Sequence, residues 1–469
     1  MFQSAGNLRT RHCVPLIGWA LACCFSLPAR GGTSWDVKFF PFNGANGAVP
    51  LGALIIDPRG DLWGTTTNGG ANNLGCVFRF DPVSDEITAI ASFNGANGGH
   101  PQGRLLMDRE GNLFGTTISG GQSGMGTLFR ITAKTHELVT LASFDGGNGR
   151  DPSAGLVFGQ DGNLYGTSRR GGPGNGGTVF KFDVSTGVLT VVASFNGTTG
   201  RDPTGDLLID AQGNFYGTTA FGGAHDLGTI FRVDAETMAL TSLASFSGAD
   251  GRYPMAGLVA DGALNLYGTT WGGGPGGYGT IFRFSSATQS LTTLASFRRY
   301  HLGRYPRCTL LPGRKGVLFG TNTDGGSNGQ GCAFVFDSET GEVTRLAKLY
   351  GLGSGGDPFA GLISDGNGRF YGTASINGAY DKGAVFRIDV GCVGRESLSA
   401  VCKGDRVIAR NKNGRPGTSY ELCMDGVKCI QQEADRNGRI RYVFKPAAAG
   451  RHLVSNTNCD LDAVVDCPE

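Results

Sequence analysis

The chain has little charge, little proline and little histidine. Charged residues are 17 % of its 469 positions, the formal net charge is only +2, and there are 18 prolines and six histidines. No basic stripe exists that could follow a phosphate backbone, which excludes nucleic acid as an expected partner. The histidines (His12, His100, His136, His225, His301 and His452) form no i, i+4 pair of the kind that holds zinc on a helix, and no G-x-S-x-G elbow marks a serine nucleophile. No C-x2-C pair occurs either. Neither a metal nor a cofactor is expected. Beyond the N-terminal segment no apolar run is long enough to cross a bilayer as a helix.

Glycine, by contrast, is abundant, at 81 residues. It follows no Gly-X-Y period, so collagen is excluded. The glycines stand in fixed columns of a unit that recurs seven times. The clearest column is an aromatic-Gly-Thr triplet, with its glycine at Gly64, Gly115, Gly166, Gly217, Gly268, Gly320 and Gly372, a spacing of 51 or 52 residues. A period of this size filled with short strands is the mark of a propeller or a β-solenoid.

Within the second unit, Pro101 to Asp108 reads as strand A, Asn112 to Thr117 as B, Gly126 to Ile131 as C and Leu138 to Phe144 as D. The runs are short, aromatic and β-branched, and are bounded by Gly, Asp and Asn. The A–B turn recurs as Asp-x-x-Gly at Asp57/Gly60, Asp108/Gly111, Asp210/Gly213 and Asp365/Gly368, where Asp accepts from backbone amides and Gly tolerates positive φ. Four strands per unit make a propeller blade. Strand D ends in Ala-Ser-Phe at Phe93, Phe144, Phe195, Phe246 and Phe297, with a worn copy near Leu349, but the seventh unit stops at Ile388 without one. The missing strand stands before the first unit, at 36–42. The sequence therefore predicts a seven-bladed β-propeller over 36–390, closed by its N-terminal strand, because an open stack would leave unpaired edges.

The strings Gly162-Asn163-Leu164-Tyr165-Gly166-Thr167, Gly177-Thr178-Val179-Phe180 and Ala193-Ser194-Phe195 resemble the tandem Gloeobacter–Verrucomicrobia (GloVer) repeat of exported bacterial proteins, over about residues 36–390. The resemblance implies a repeat scaffold and no settled enzymatic activity. Family members typically end in surface-anchoring or accessory segments; this chain's end is neither apolar nor followed by a basic tail.

The two ends read differently from the repeats. Arg9, Arg11 and His12 precede an apolar run from Cys13 to Leu27, and Ala29 suits a cleavage site, so 1–29 is read as a signal peptide. A lipoprotein signal at Cys23 is the alternative. The mature protein is expected outside the cytoplasm, secreted or at the cell surface, without a transmembrane segment and as a monomer. Residues 391–469 hold six of the 12 cysteines (Cys392, Cys402, Cys423, Cys429, Cys459 and Cys467), and Tyr442 to Gly450 resembles the late strands of bacterial Ig-like modules. A small disulfide-bonded β-domain is expected there.

In a four-stranded blade the B–C and D–A loops share one face. Here they are long and vary between units, whereas the A–B and C–D turns are short. The candidate ligand-binding residues on that face are Trp271, Phe221, Arg169, Arg170, Tyr278 and Asp324, with Trp271 as the main contact because its six sister units lack it. Aromatics beside arginines suit a sugar or an anionic glycan. The D–A loops add Arg150, Arg201, Arg252 and Arg304, each a candidate for ligand binding or for pairing with a neighbouring carboxylate. The expected function is a binding propeller for a glycan or a surface protein. One alternative is lyase or glycosidase chemistry at the mouth, with Asp226 and Asp324 facing each other; another is a purely structural surface protein.

Overall fold

The computed structural model describes residues 36–389 except 299–301, 314–315, 326–328, 350–354 and 367, and beyond them the backbone of strands between 397 and 467. The signal-peptide reading of 1–29 lies outside the described residues, as do the side chains of the six C-terminal cysteines.

The repeats form seven antiparallel blade sheets and a separate two-stranded pair, Gly355–Gly356 with Ile376–Asn377. The first blade shows the plan: A is Ile55–Ile56, B Leu62–Thr66, C Cys76–Asp81 and D Glu86–Ser92, hydrogen-bonded in that order. The seventh sheet takes its outer strand from the other end of the chain. Asp36–Pro41 pairs antiparallel with Ala384–Asp389, from Asp36 opposite Asp389 to Pro41 opposite Ala384. The N-terminal closure is therefore present.

Strand A differs from the sequence reading. In the second blade only Leu106–Met107 joins the ladder, not Pro101 to Asp108. The preceding residues run along the propeller axis, and their carbonyls are bound by the neighbouring blade. Thr65 Oγ1 donates to the Gly103 carbonyl (3.4 Å), Thr116 to Ala154 (3.2 Å), Thr218 to Ala256 (2.9 Å), Thr269 to Cys308 (3.0 Å) and Thr321 to Ala360 (2.8 Å). Thr373 closes the circle on Gly52 (3.2 Å). In six of the seven blades the threonine of the repeated triplet is thus a bond between blades, whereas Thr167 Oγ1 is buried without a hydrogen bond.

The other two members of the triplet are explained in the same way. A Cβ on Gly64 would stand 2.7 Å from Phe78 Cζ, because the strand C phenylalanine lies over that glycine. In four blades the aromatic residue carries a polar tip to the A–B turn; Phe114 and Phe319 have no polar tip, and the Tyr371 hydroxyl is buried without a hydrogen bond. Trp63 Nε1 donates to Asp57 (3.2 Å), and the Tyr216 and Tyr267 hydroxyls donate to Asp210 and Asp261 (3.0 Å each). In the third blade the turn position is Gly159, and Asp161, two residues on, accepts from Tyr165 instead (3.0 Å). Burial opposes the charge on Asp161, but hydrogen bonds from Lys181, Asn163 and Tyr165 outweigh it and hold its pKa at about 2. Asp57, Asp161, Asp210 and Asp261 therefore anchor the aromatics as well as shaping the turn.

The core lies between blades. Trp63, Val77 and Phe93 of the first blade pack with Leu105, Leu113, Phe129 and Ile131 of the second, and Phe42, Tyr371 and Val385 pack with Leu54, Leu62, Phe78 and Phe80 across the closure. Each strand D phenylalanine meets the next blade's strand C phenylalanine edge-on, as in Phe93–Phe129 (5.0 Å, 70°) and Phe42–Phe78 (4.9 Å, 77°). Leu349 fills this place against Phe386 in the last interface. Among the described residues three cysteines are free and buried. Cys76 and Cys332 stand where other blades carry Thr127, Thr178, Thr229 or Thr280, and Cys308 stands on an inner segment. Burial raises all three thiol pKa values, to about 11 for Cys76 and Cys332. This suits packing and not reactivity.

The tail strands form two antiparallel sheets. One contains Ser397–Lys403, Arg406–Lys412 and Ile440–Phe444. The other contains Lys428–Glu433, Ser419–Met424, Gly450–Asn456 and Leu461–Cys467.

Removing residues up to Phe42 deletes an outer strand and the fully buried Phe42 side chain. Loss of Phe42 alone is expected to cost about 3–5 kcal/mol. The truncated protein should aggregate or melt well below the full chain; equal melting curves would contradict the closure.

Candidate functional site

The residue before the proline of each inner segment takes a left-handed conformation in every blade. Val49, His100, Asp151, Asp202, Tyr253, Tyr305 and Asp357 all have φ between 50° and 61°. None is glycine, so each position carries strain, of about 1–3 kcal/mol. The kink directs the two backbone groups to different blades. The amides of Val49, His100, Asp151, Asp202, Tyr253, Tyr305 and Asp357 donate to Lys382, Leu74, Met125, Gly176, Leu227, Tyr278 and Gln330, in the B–C loop of the preceding blade. Six of the carbonyls accept within their own blade from Thr67, Ile118, Arg169, Ala220, Trp271 and Ser375. In the sixth blade, Thr323 Oγ1 donates to Tyr305 (2.8 Å). The loops that the sequence selected as a binding face are therefore held in a ring.

Inside this ring lies a cavity of about 390 Å³ on the propeller axis, lined by the inner segments of all seven blades. Its wall is set by the residue after each proline: Leu51, Gln102, Ser153, Thr204, Met255, Arg307 and Phe359. No two are alike. Arg104, Asp206 and Thr309 line it too, and Arg169, Asp202 and Phe221 reach it from the loops.

The six residues picked from the sequence divide into two groups. Arg169 and Phe221 are in the cavity wall; Trp271, Arg170, Tyr278 and Asp324 are not. Trp271 is half-buried and stacks on Tyr305 of the next blade (4.7 Å, 17°), with Tyr253 tilted beside it at 6.2 Å. Tyr278 meets Tyr305 edge-on at 5.6 Å. Arg170 lies 3.9 Å from Asp151 and is largely exposed. Arg169 Nε and Nη2 grip Asp202 of the next blade at 2.8 and 3.1 Å, a bidentate bond that raises the Arg169 pKa.

Two of the four D–A arginines, Arg201 and Arg304, pair with a carboxylate at or beyond the end of strand B of their own blade, while Arg150 Nε is buried without a hydrogen bond. Arg201 binds Asp226 at 2.7 Å and lies over Phe221 (5.1 Å), and Arg304 binds Asp324 at 2.7 Å. Arg252 lies over the Tyr253 ring at 5.5 Å. Asp226 and Asp324 are thus each occupied by an arginine. The Arg201 hydrogen bond and the Gly222 amide lower the Asp226 pKa, opposite to what a general acid needs. Asp357 moves the other way, its pKa raised by burial and then by the Asp324 charge. His100 Nδ1 lies 2.9 Å from the Thr67 carbonyl, which can only accept, so that nitrogen carries the proton. His225 is exposed in its loop. Among the described residues, no three His, Cys, Asp or Glu are grouped to hold a metal ion, and no helix is long and apolar enough to cross a membrane.

Sequence reasoning missed Arg307. It assigned the post-proline column to strand A and did not compare it across units, although that column breaks the repeat in every blade. Arg307 lies over the Phe359 ring (4.8 Å), and its Nη2 is 2.9 Å from Met255 Sδ. Burial, and then the Arg169 charge, lower its pKa.

No protein of curated function matches this sequence. Among solved structures, the chain resembles the extracellular domain of the one-component system BT4673 from B. thetaiotaomicron. That likeness has a TM-score of 0.53 and 12 % identity, and it covers 93 % of this chain and 59 % of the other, so this chain spans less than two thirds of it. Oligogalacturonate lyase (VPA0088) from Vibrio parahaemolyticus gives a TM-score of 0.49 at 12 % identity, covering 77 % of this chain and 99 % of the lyase. PorZ, a surface component of the type-IX secretion system of Porphyromonas gingivalis, also gives 0.49, at 13 % identity, covering 94 % and 60 %. Such identities bear on the fold alone. Residues 22–210 and 203–406 match the Gloeobacter/Verrucomicrobia repeat, and the chain belongs to that family.

Proposed function

We propose that this chain is an exported binding propeller, secreted or held at the cell surface, that takes a carbohydrate at its mouth. The supporting observation is the axial cavity, whose wall differs from blade to blade while the scaffold columns around it repeat. Its volume falls within the roughly 300–1,000 Å³ of small-molecule pockets. Phe221 and Phe359 offer flat apolar faces beside the polar Gln102, Ser153, Thr204 and Thr309, a mixture that suits a sugar ring. Binding is favoured over hydrolysis because Asp151, Asp202, Asp206, Asp226 and Asp324 each lie in an ion pair, which leaves Asp357, whose pKa is raised by burial, without a free carboxylate among them to act with. Two-carboxylate chemistry needs a separate acid and base. Trp271 is assigned to ligands long enough to leave the cavity.

The test is a glycan array followed by titration of two variants. Phe221→Ala should weaken short and long ligands several-fold, since an aromatic contact is worth about 0.5–1.5 kcal/mol beyond its buried area. Trp271→Ala should weaken only the longer ones, and both variants should melt near the parent. The reading fails if neither changes binding.

The tail is assigned as a small Ig-like domain with disulfides. Its register sets Cys423 opposite Cys429 on adjacent strands, and six cysteines in an exported segment fit an oxidising compartment. Mass mapping of the non-reduced protein should recover Cys423 linked to Cys429; free thiols at both would refute the pairing.

A further inference from the structure

We infer that the axial cavity carries a carboxylate-binding subsite built on Arg307. The inference rests on the mouth as the binding face and adds the chemistry that one part of it recognises.

Five charged residues line the cavity. Arg169 is bound to Asp202 at 2.8 Å, and Arg104 Nε lies 3.3 Å from Asp206 Oδ2. That leaves Arg307. No carboxylate pairs with it among the described residues, so three arginines face two aspartates and one positive charge has no counter-charge.

Its surroundings do not satisfy it. A guanidinium has five N–H donors in a planar fork. Among the described residues the Arg307 side chain makes one hydrogen bond, to the Met255 thioether, a weak acceptor, and stacks against the Phe359 ring. Met255 and Phe359 hold the same post-proline position in the two flanking blades. They fix the plane of the fork while leaving its remaining donors to the cavity. Arginine is never deprotonated in a protein, so partial burial cannot neutralise it. An acceptor with two oxygens in one plane complements such a fork.

The opposite part of the wall is also short of partners. Ser153 Oγ, in the cavity wall, is buried without a hydrogen bond, and so is Arg104 Nε, whose approach to Asp206 is not aligned for one. Asp206 already accepts from the Gly155 amide at 2.6 Å. Buried polar atoms left unpaired are uncommon and call for an explanation. Arg104 and Ser153 belong to the wall of the same cavity, but the two atoms themselves are covered and are two of eleven such atoms among the described residues, so the subsite rests on Arg307.

The ligand class that fits is a small ring bearing a carboxylate, with its anion on Arg307 and its ring against Phe359 or Phe221. The carboxylate could belong to an acidic sugar or to a simple organic acid, and the test separates these.

Saturation-transfer NMR and calorimetry on the full chain would compare sodium glucuronate, the neutral glucuronamide, glucose and acetate. The wild type should bind glucuronate about tenfold or more tightly than glucuronamide or glucose, because hydrogen bonds to a charged group are the stronger kind. Arg307→Gln should remove that preference, and Arg307→Lys should restore part of it by keeping the charge without the fork. Acetate binding as well as glucuronate would support the carboxylate subsite and contradict the carbohydrate reading. Equal binding of glucose and glucuronate would contradict the subsite while leaving the carbohydrate reading intact. The glucuronate–glucuronamide comparison needs no variant, so misfolding of Arg307→Gln cannot rescue the proposal. Equal affinity of the wild type for that pair overturns it, and so does unchanged glucuronate binding by a folded Arg307→Gln.

Discussion

A strained residue before a proline organises this molecule. In each of seven blades it adopts a left-handed conformation that only glycine takes without cost. What it gains is position: its amide reaches the preceding blade and its carbonyl stays with its own. A backbone hydrogen bond contributes a net of about 0.5–1.5 kcal/mol, so two such bonds are comparable to the strain. The device recurs around the whole ring and ends with Val49 bonded to Lys382, across the junction of the two chain ends. Threonine side chains and edge-on phenylalanine pairs then fill the same interfaces. Each blade is stable because of its neighbours, and the core lies between blades.

That division of labour separates scaffold from site. Columns that meet a neighbouring blade must satisfy the same geometry seven times, so their residues repeat. The residue after the proline lines the axial cavity, where no contact shared by all seven blades constrains it, and it runs through leucine, glutamine, serine, threonine, methionine, arginine and phenylalanine. Asymmetry in the wall of a nearly symmetric ring is what a specific ligand requires. The charges follow the same logic. Arg169 and Arg104 reach across blades to Asp202 and Asp206 and complete the wall, while Arg307 has an aromatic and a thioether in place of a counter-ion.

Most of the scaffold was legible in the sequence, because a scaffold repeated seven times presents each of its rules seven times. The triplet at Tyr216-Gly217-Thr218 marked a strand, Asp210 and Gly213 marked a turn, and the absent strand D of the last unit pointed to residues 36–42. The site was less legible. Trp271 stood out as a rare aromatic, but sequence cannot show that Tyr305, 34 positions later, supplies a partner for its ring. Arg201 and Arg304 were seen to recur, yet their carboxylates belong to loops 25 and 20 residues on. Arg307 was hidden because Pro-Arg-Cys-Thr reads locally as the start of a strand. Its exposure to the axis follows only from ring closure.

The most direct test of this account is hydrogen exchange at the seven pre-proline amides of the free protein. If these bonds hold the blades together, the amides of Val49, His100, Asp151, Asp202, Tyr253, Tyr305 and Asp357 should exchange only through global unfolding. All seven should then be equally slow, Val49 included, although it spans the closure. Rapid exchange at Val49 with protection elsewhere would mean that the ring is open. Rapid exchange at all seven would mean that the blades are held by side chains alone.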